Sequence, residues 1–204
     1  MILLALETTA KAASVALLRD GVVCAGHACD PAHKHAETVL PAVRLLLRQC
    51  ALPLDAVDVF AVDVGPGSFT GVRIGVCMAN AFAFACHKPV VGVDALRALY
   101  QRCLPSPEPV CALIDARNGN AYAARYAAGR CVEAPQAVSL EAYGAGLAGA
   151  RLVGDVPGLC EPPVWPDAAS VGLAAMTLLA TAQQEVRPLY LRPSQAERLA
   201  EGRR

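Results

Sequence analysis

The sequence has no surplus of either charge and no pairing pattern among its cysteines. Its 204 residues contain 18 Lys and Arg against 18 Asp and Glu, so the formal net charge is zero. A protein that grips nucleic acid alone usually carries a basic surplus, and the balance argues against an autonomous nucleic-acid-binding domain. The nine cysteines include no C-x-x-C pair. We therefore expect free thiols in a reducing cytosol rather than a secreted disulfide scaffold.

The sequence also lacks a clear membrane span and a leader. The longest apolar run, Ile74 to Cys86, is interrupted by Asn80 and is too short to cross a bilayer. The stretch from Met1 to Glu7 has no basic region and reaches an acid too soon for a signal peptide. These features predict a cytoplasmic protein that does not associate with a membrane.

Paired metal-binding histidines are missing as well. The four histidines, at positions 27, 33, 35 and 87, form neither H-x-x-x-H nor H-E-x-x-H. Such spacings put both imidazoles on one helical face, where they can share a metal ion. We therefore predict no metal site, and a metallopeptidase is the least favoured function.

What the sequence does contain is apolar material in the order of an α/β protein. Hydrophobic residues make up 55% of the chain, and Asp20-Gly21 predicts a hairpin between two apolar runs. Strands are predicted at 2–6, 14–18, 22–28, 57–64, 90–93, 110–114, 121–126 and 151–153. Helices are predicted at roughly 33–50, 69–86, 95–102 and 168–183. This order favours mixed sheets with helices packed against them.

A proline-rich segment divides the chain. Leu104 to Pro109 holds three prolines in six residues, which makes it the best candidate for a domain boundary. Beyond it the apolar run 110–114 ends in Asp115, much as the first strand ends in Glu7, and we interpret this as a weak internal repeat. The predicted organisation is an N-terminal lobe at 1–104, a shorter C-terminal lobe at 110–187 and a solvated tail at 188–204.

The most informative stretch runs from Gly65 to Gly75. A glycine-rich turn meets a helix N-terminus there, and its free backbone N–H groups can hold an anion. A tight strand-to-helix turn explains the same residues, and no lysine follows as in a Walker A loop. A weak nucleotide or anion site therefore stays open, with these candidate residues: Glu7, Thr8, Gly65, Gly67, Ser68 and Asp115.

The helix after this turn carries a ridge with almost no side chains. Gly67, Gly71, Gly75, Ala79 and Ala83 recur every four residues. Glycine inside a helix costs roughly 0.5–1 kcal/mol against alanine, and close approach of another backbone is the usual compensation. Because the other sides of the helix are apolar too, we expect it to meet both its own lobe and a second polypeptide. Complete burial within the chain is the alternative.

Several motifs, in order along most of the chain, resemble the TsaB (YeaZ) family. They are Leu4-Ala-Leu-Glu-Thr-Thr9, His35-Ala-Glu-Thr-Val-Leu-Pro41, Gly65-Pro-Gly-Ser-Phe-Thr-Gly-Val-Arg-Ile-Gly75, Ile114-Asp-Ala-Arg117 with Tyr122, and Pro188-Leu-Tyr-Leu-Arg192. The glycine-rich segment is highly specific and the others support it. The resemblance implies the two-lobed fold of the actin-like ATPase superfamily, which is ribonuclease H-like.

The resemblance also implies a function and partners. Members of the family are non-catalytic subunits that dimerise with TsaD, the catalytic subunit, and work with the ATPase TsaE. Together these proteins form N6-threonylcarbamoyladenosine beside the anticodon of tRNAs that read codons starting with A. The resemblance implies a homodimer when the chain is alone, indirect contact with tRNA and no cofactor bound independently. ATP or ADP shared at the TsaD interface stays open.

The implied interface lies on the first two main helices and serves both the TsaD heterodimer and the homodimer. Its expected residues are Ala36, Val39, Leu40, Val43, Leu47, Phe69, Gly71, Val72, Gly75, Val76, Ala79 and Ala83.

An independent enzyme is the alternative function. Glu7 and Asp115 could act as paired carboxylates across a cleft in an ATPase or sugar kinase of the same superfamily. However, Glu7 stands where that superfamily usually has Asp, and Asn120 stands where many relatives have an acid. Acids at strand ends also cap turns routinely. The sequence therefore favours a subunit without its own chemistry.

Overall fold

The first lobe is built on a five-stranded mixed sheet. A computed structural model of the protein describes residues 1–192, and the sheet has the strand order β3-β2-β1-β4-β5. β1, β2 and β3 pair antiparallel, whereas β4 and β5 run parallel to β1. The strands span Ile2–Glu7 (β1), Ser14–Arg19 (β2), Val22–Ala28 (β3), Val59–Asp63 (β4) and Val90–Val93 (β5).

A second sheet repeats this plan on a smaller scale. Its order is β8-β7-β6-β9, with an antiparallel meander and one parallel strand beside its first member. The two sheets confirm the predicted α/β class with two lobes and explain the repeat seen in the sequence. The strands span Val110–Arg117 (β6), Asn120–Ala127 (β7), Arg130–Ser139 (β8) and Arg151–Gly154 (β9).

Helices cover both faces of the first sheet. One face packs against the first two helices in a single apolar core, and the opposite face packs against the last helix. The helices span His35–Gln49 (α1), Phe69–Cys86 (α2), Ala95–Gln101 (α3), Leu140–Tyr143 (α4) and Ala168–Met176 (α5).

α1 runs without a break through Pro41, which the sequence predicted would bend it or mark an early boundary. Pro41 is exposed, so the ring lies on the side of the helix away from the core. The buried stripe that holds α1 on the sheet consists of Val39, Ala42, Val43, Leu46 and Leu47. The 3.6-residue spacing of these side chains is what makes the segment a surface helix with one apolar face.

α5 is shorter than predicted and lies on the first sheet rather than in the C-terminal lobe. It ends at Met176, and the chain then extends so that Gln183 forms two backbone hydrogen bonds with Val90, at 2.8 and 2.9 Å. Ala168, Val171, Ala174 and Ala175 pack against β1 and β2. α3, which follows β5 in sequence, packs instead on the second sheet. The two lobes thus exchange helices, and the predicted division at 104–110 does not separate their cores.

The predicted tail begins as a strap and not as a free end. The Leu189 N–H donates to the Val64 carbonyl at 2.8 Å, and the Tyr190 ring stacks on Phe69 with ring centroids 4.7 Å apart. The side chain of Asn80 exchanges two hydrogen bonds with the Val186 backbone. Residues 186–192 therefore bind along α2. The arginines predicted in the tail after Arg192 lie outside the described residues.

α2 is long and apolar enough to cross a membrane by length and composition alone. Six residues on one face of α2 are buried against the first sheet: Gly71, Val72, Gly75, Val76, Ala79 and Ala83. A core helix passes the same test, and packing in the first lobe accounts for the apolar character on that side.

Candidate functional site

Two acids are buried together where β1 and β4 end. Glu7 and Asp63 have no exposed surface, and the Thr9 hydroxyl lies 2.9 Å from Glu7 Oε1 and 3.1 Å from Asp63 Oδ2. The Ala10 and Gly65 backbone N–H groups donate to the same carboxyls, at 2.9 and 2.7 Å. Because one hydroxyl carries only one proton, a proton on a carboxyl group would let both short contacts be full hydrogen bonds.

The electrostatics of the pair agree with that geometry. Burial raises the pKa of Glu7 to about 7, and donated hydrogen bonds from Ala10 and Thr9 only partly oppose the shift. Burial and the neighbouring Glu7 charge raise the pKa of Asp63 well above its ordinary value. Glu7 Oε2 has no hydrogen-bond partner among the described residues. The raised pKa values therefore favour the protonated form of this pair.

The bare ridge of α2 faces this same region. A Cβ added at Gly71 would lie 2.0 Å from the Thr8 carbonyl oxygen, and one at Gly75 would lie 2.3 Å from Thr8 Oγ1. The Thr8 hydroxyl donates to the Gly71 carbonyl at 2.7 Å. The close backbone approach that the glycines predicted is real, but it is made by the chain's own β1 loop. The glycines of the ridge thus meet the chain's own lobe, which was one of the two expected contacts, and contact of the helix with a second polypeptide stays a prediction.

Burial removes most of the expected interface residues from the surface. Nine of the twelve lie in the core beneath the two helices: Val39, Val43, Leu47, Gly71, Val72, Gly75, Val76, Ala79 and Ala83. They cannot touch a partner in this conformation. Ala36 and Leu40 are exposed, and Phe69 is half-buried under Tyr190. The expected residues therefore lie mainly on the inner faces of the two helices, and an interface on these helices stays a prediction.

The outer face of the two helices is partly apolar. On α2 an exposed stripe consists of Arg73, Cys77, Ala81 and Phe84, and Phe84 is 82% exposed. On α1 the exposed apolar residues are Ala36, Leu40, Pro41 and Leu45. We call the four residues of α2 together with Ala36 and Leu40 the outer helix face. Phe84 thus leaves a large apolar side chain uncovered on this face.

A cleft separates the two lobes. Two adjoining cavities of about 340 and 360 Å³ share Gly67, Ser68, Asp115 and Arg117 in their walls. We call the two together the inter-lobe cleft. The first cavity also contains Tyr122, Tyr190 and Arg192, and the second contains Lys11, Asp155 and Trp165.

The expected pairing of Glu7 with Asp115 across this cleft is wrong. Glu7 is sealed in the interior beside Asp63, whereas Asp115 lines the cleft and accepts the Arg117 N–H at 2.8 Å. Asp155, which sequence reasoning missed, accepts the Asp115 N–H at 2.8 Å. Its position directly after the β9 run was the available signal, as was the position of Asp63 at the end of β4.

The other candidates for an anion site are divided between surface and interior. Gly67 and Ser68 line the cleft, and the Ser68 hydroxyl accepts the Gly71 N–H at 3.2 Å as the N-cap of α2. Thr8 and Gly65 are buried. Within residues 1–192 no group of three or more His, Cys, Asp or Glu side chains could hold a metal ion.

Comparison with known proteins places this architecture in a family. A family model described as "TsaD: tRNA N6-adenosine threonylcarbamoyltransferase" matches residues 29–151. The Escherichia coli protein named tRNA threonylcarbamoyladenosine biosynthesis protein TsaB is 38% identical over 128 residues, which cover 62% of this chain and 55% of the relative. The chain thus spans about half the length of the curated relatives that it resembles.

Two solved structures match almost from end to end. YeaZ from Pseudomonas aeruginosa is 31% identical with a TM-score of 0.75, covering 93% of this chain and 99% of that one. A second Pseudomonas aeruginosa structure, described as similar to peptidase YEAZ, is 32% identical with a TM-score of 0.82, covering 94% and 99%. From its sequence identity and its two-lobed fold, the chain belongs to the TsaB (YeaZ) family.

Proposed function

We propose that this chain is a non-catalytic subunit in the synthesis of threonylcarbamoyladenosine in tRNA, and that it binds a TsaD-like catalytic subunit. The printed names of the related TsaB proteins support the pathway, and the match of residues 29–151 to TsaD supports kinship with the partner. A TsaE-like ATPase completes the assembly. We expect such a subunit to act in the cytoplasm, where the tRNA is modified.

The outer helix face is the proposed contact surface. The observation that carries the proposal is the exposure of Phe84, at 82%, on a helix whose opposite side is fixed in the core. Burying an aromatic side chain of this kind supplies the anchor that protein interfaces use. The same face would form the homodimer when no TsaD-like subunit is present.

Independent catalysis is disfavoured by where the acids lie. A kinase or ATPase needs carboxylates that reach Mg²⁺ or a hydroxyl in an open cleft. Glu7 faces Asp63 in the interior, and the carboxylates of Asp115 and Asp155 are engaged with the backbone of the cleft loops. Any ATP or ADP would therefore be held jointly with the partner rather than by this chain alone.

A reconstituted modification reaction tests the proposal. We expect threonylcarbamoyladenosine formation by TsaD and TsaE homologues to fall at least roughly tenfold when this chain is omitted. The chain alone should form none and should not hydrolyse ATP. ATP turnover by the chain alone that Asp115→Asn abolishes would contradict the proposal and favour the kinase alternative.

A further inference from the structure

Three cations line the inter-lobe cleft without a carboxylate partner in the part of the chain that the structure describes. Lys11 lies in one cavity, Arg192 in the other, and Arg117 lines both. None of them is within ion-pair distance of a described acid. The Arg192 Nη1 atom is buried and finds no acceptor among residues 1–192. A buried donor left without an acceptor costs free energy, so this wall suits an anionic ligand.

The backbone directs Arg117 to the cleft at some cost. Its φ is +64°, in the left-handed region, and it lies where the register between β6 and β7 shifts. Asp115 Oδ1 stabilises this bulge by accepting the Arg117 N–H. Bulges and left-handed residues other than glycine cluster at functional sites, where they re-aim a side chain. This feature is independent of the unpaired charges and involves the same residue.

Two exposed aromatic rings flank the cations, one in each cavity. Trp165 is 39% exposed, and its indole N–H donates to Asp155 Oδ2 at 3.2 Å. Tyr190 is 44% exposed, and its hydroxyl accepts a hydrogen bond from Arg73 at 3.0 Å. Both rings are therefore held in place and remain partly exposed, and Tyr190 offers only the face that is not stacked on Phe69. Nucleic acid bases stack on aromatic side chains presented in this way.

We propose that the inter-lobe cleft binds a single-stranded segment of RNA, with phosphates on Lys11, Arg117 and Arg192 and bases against Trp165 and Tyr190. This rests on the proposed function, in which tRNA is the substrate of the assembly. Cations spread over two adjoining cavities can contact successive phosphates along a nucleic acid backbone. The Asp115 carboxylate, which lines both cavities, repels the concentrated charge of a free triphosphate.

The zero net charge of the chain is compatible with this site. The cleft contains three cations and two acids, so its positive surplus is local. The acids, Asp115 and Asp155, already accept hydrogen bonds from backbone N–H groups and from the Trp165 indole. Attraction to phosphates is therefore a short-range contact that salt weakens strongly. The subunit and its TsaD-like partner would therefore bind the RNA jointly.

Fluorescence anisotropy with a labelled anticodon stem-loop tests the proposal on the full chain alone at low salt. The test variant is Arg117→Ala with Arg192→Ala. The matched control is Arg19→Ala with Arg130→Ala, two exposed arginines at hairpin turns remote from the cleft. We expect the test variant to bind RNA at least about tenfold more weakly, with a salt slope lower by about two. The control should stay within about twofold of the unaltered chain.

Three results would overturn the proposal. They are absence of RNA binding by the unaltered chain at low salt, equal RNA affinity of the test variant and the unaltered chain, and displacement of the RNA by AMP or ATP at the concentrations where unlabelled stem-loop displaces it. The last result would show a mononucleotide site. Thermal unfolding and binding of the TsaD homologue, measured on the same variant, should be unchanged. A failure of the TsaD interaction would therefore be seen separately.

Discussion

Two carboxyl groups, those of Glu7 and Asp63, share a single hydroxyl donor inside the first lobe. The groups that face them are the Thr9 side chain, the Thr9, Ala10 and Gly65 backbone N–H groups and a further acid, the half-buried Asp94. Asp94 caps α3, and burial raises its pKa as well. Neither Glu7 nor Asp63 forms an ion pair with a cation among residues 1–192. Protonation is therefore the way in which this cluster can lower its buried charge.

This proton makes stability depend on pH in a defined direction. The pKa of Glu7 rises from 4.5 to about 7 on folding, so the folded state binds more protons than the unfolded state between those values. The contribution is fully present below about pH 4.5 and is lost as pH rises through 7 and beyond. We expect Glu7→Gln to reduce this loss and to be more stable than the unaltered chain at pH 8–9, by on the order of 1–3 kcal/mol.

Chemical denaturation at several pH values checks that prediction. Glu161→Gln is the matched control, because Glu161 is exposed and should leave the stability profile unchanged. A Glu7→Gln chain that loses stability in parallel with the unaltered chain from pH 5 to pH 9 would show that the cluster does not hold the proton.

At the same scale, the sequence predicted the acids but not their partners. Glu7 is the last residue of β1 and Asp115 lies near the end of β6, yet their environments differ: Glu7 is buried and Asp115 lines the inter-lobe cleft. Strand-end positions can be read from hydrophobic runs, whereas burial depends on which loop covers them. Asp63 and Asp155 carried the same signal and were missed because no paired motif singled them out.

Among the elements, α2 has two faces with different tasks. The glycine face lets the helix approach Thr8 so closely that a Cβ added at Gly71 would lie 2.0 Å from the Thr8 carbonyl oxygen. The opposite face carries Phe84 at the surface. The sequence predicted the bounds of α2 and its bare ridge. It could not show what the ridge meets, since small residues allow contact with any backbone.

Gly71→Ala tests the packing of that ridge. The new methyl group would lie 2.0 Å from a backbone oxygen of Thr8, which no side-chain rotation relieves. We expect a loss of about 2–3 kcal/mol in the free energy of unfolding, measured by urea titration.

Gly144→Ala provides the matched control for that change. Gly144 has a helical φ of −51° and nothing within 4 Å of an added Cβ, so the substitution should be neutral or slightly stabilising. Equal stability of the Gly71→Ala and Gly144→Ala chains would contradict the close approach of α2 to the β1 loop.

The other elements show where periodicity stops being informative. β8 was not predicted, because its ten residues are mostly exposed and lack an apolar run. α5 was predicted seven residues too long, since the alanine-rich sequence to Gln183 suits a helix equally well. Pairing of Gln183 with Val90 at the edge of β5 decides the matter, and it is a tertiary contact that local sequence does not reveal.

For the whole molecule, the exchange of helices joins the lobes. α5 covers β1 and β2 of the first sheet, and α3 packs on β6 and β7 of the second. The Arg102 and Asp167 side chains form an ion pair that links α3 to the start of α5. The proline-rich segment marks where the sheets change but not where the cores divide. The packing of α3 and α5 therefore connects the lobe that carries α1 and α2 to both walls of the inter-lobe cleft.

The interface also becomes testable only with the whole molecule in view. A substitution at Gly75 or Val76, the centre of the interface expected from the sequence, would disturb the buried core and could not separate binding from folding. Phe84 is free of that difficulty because it is exposed. Val132, 58% exposed on β8 of the other lobe, offers a matched apolar position away from the proposed contact.

Isothermal titration of the chain with the TsaD homologue of the same organism tests the central claim most directly. We predict that the unaltered chain and Val132→Arg bind equally well, whereas Phe84→Arg remains folded and binds at least roughly tenfold more weakly. Unchanged affinity of the Phe84→Arg chain would contradict the assignment of α1 and α2 as the surface through which this subunit works.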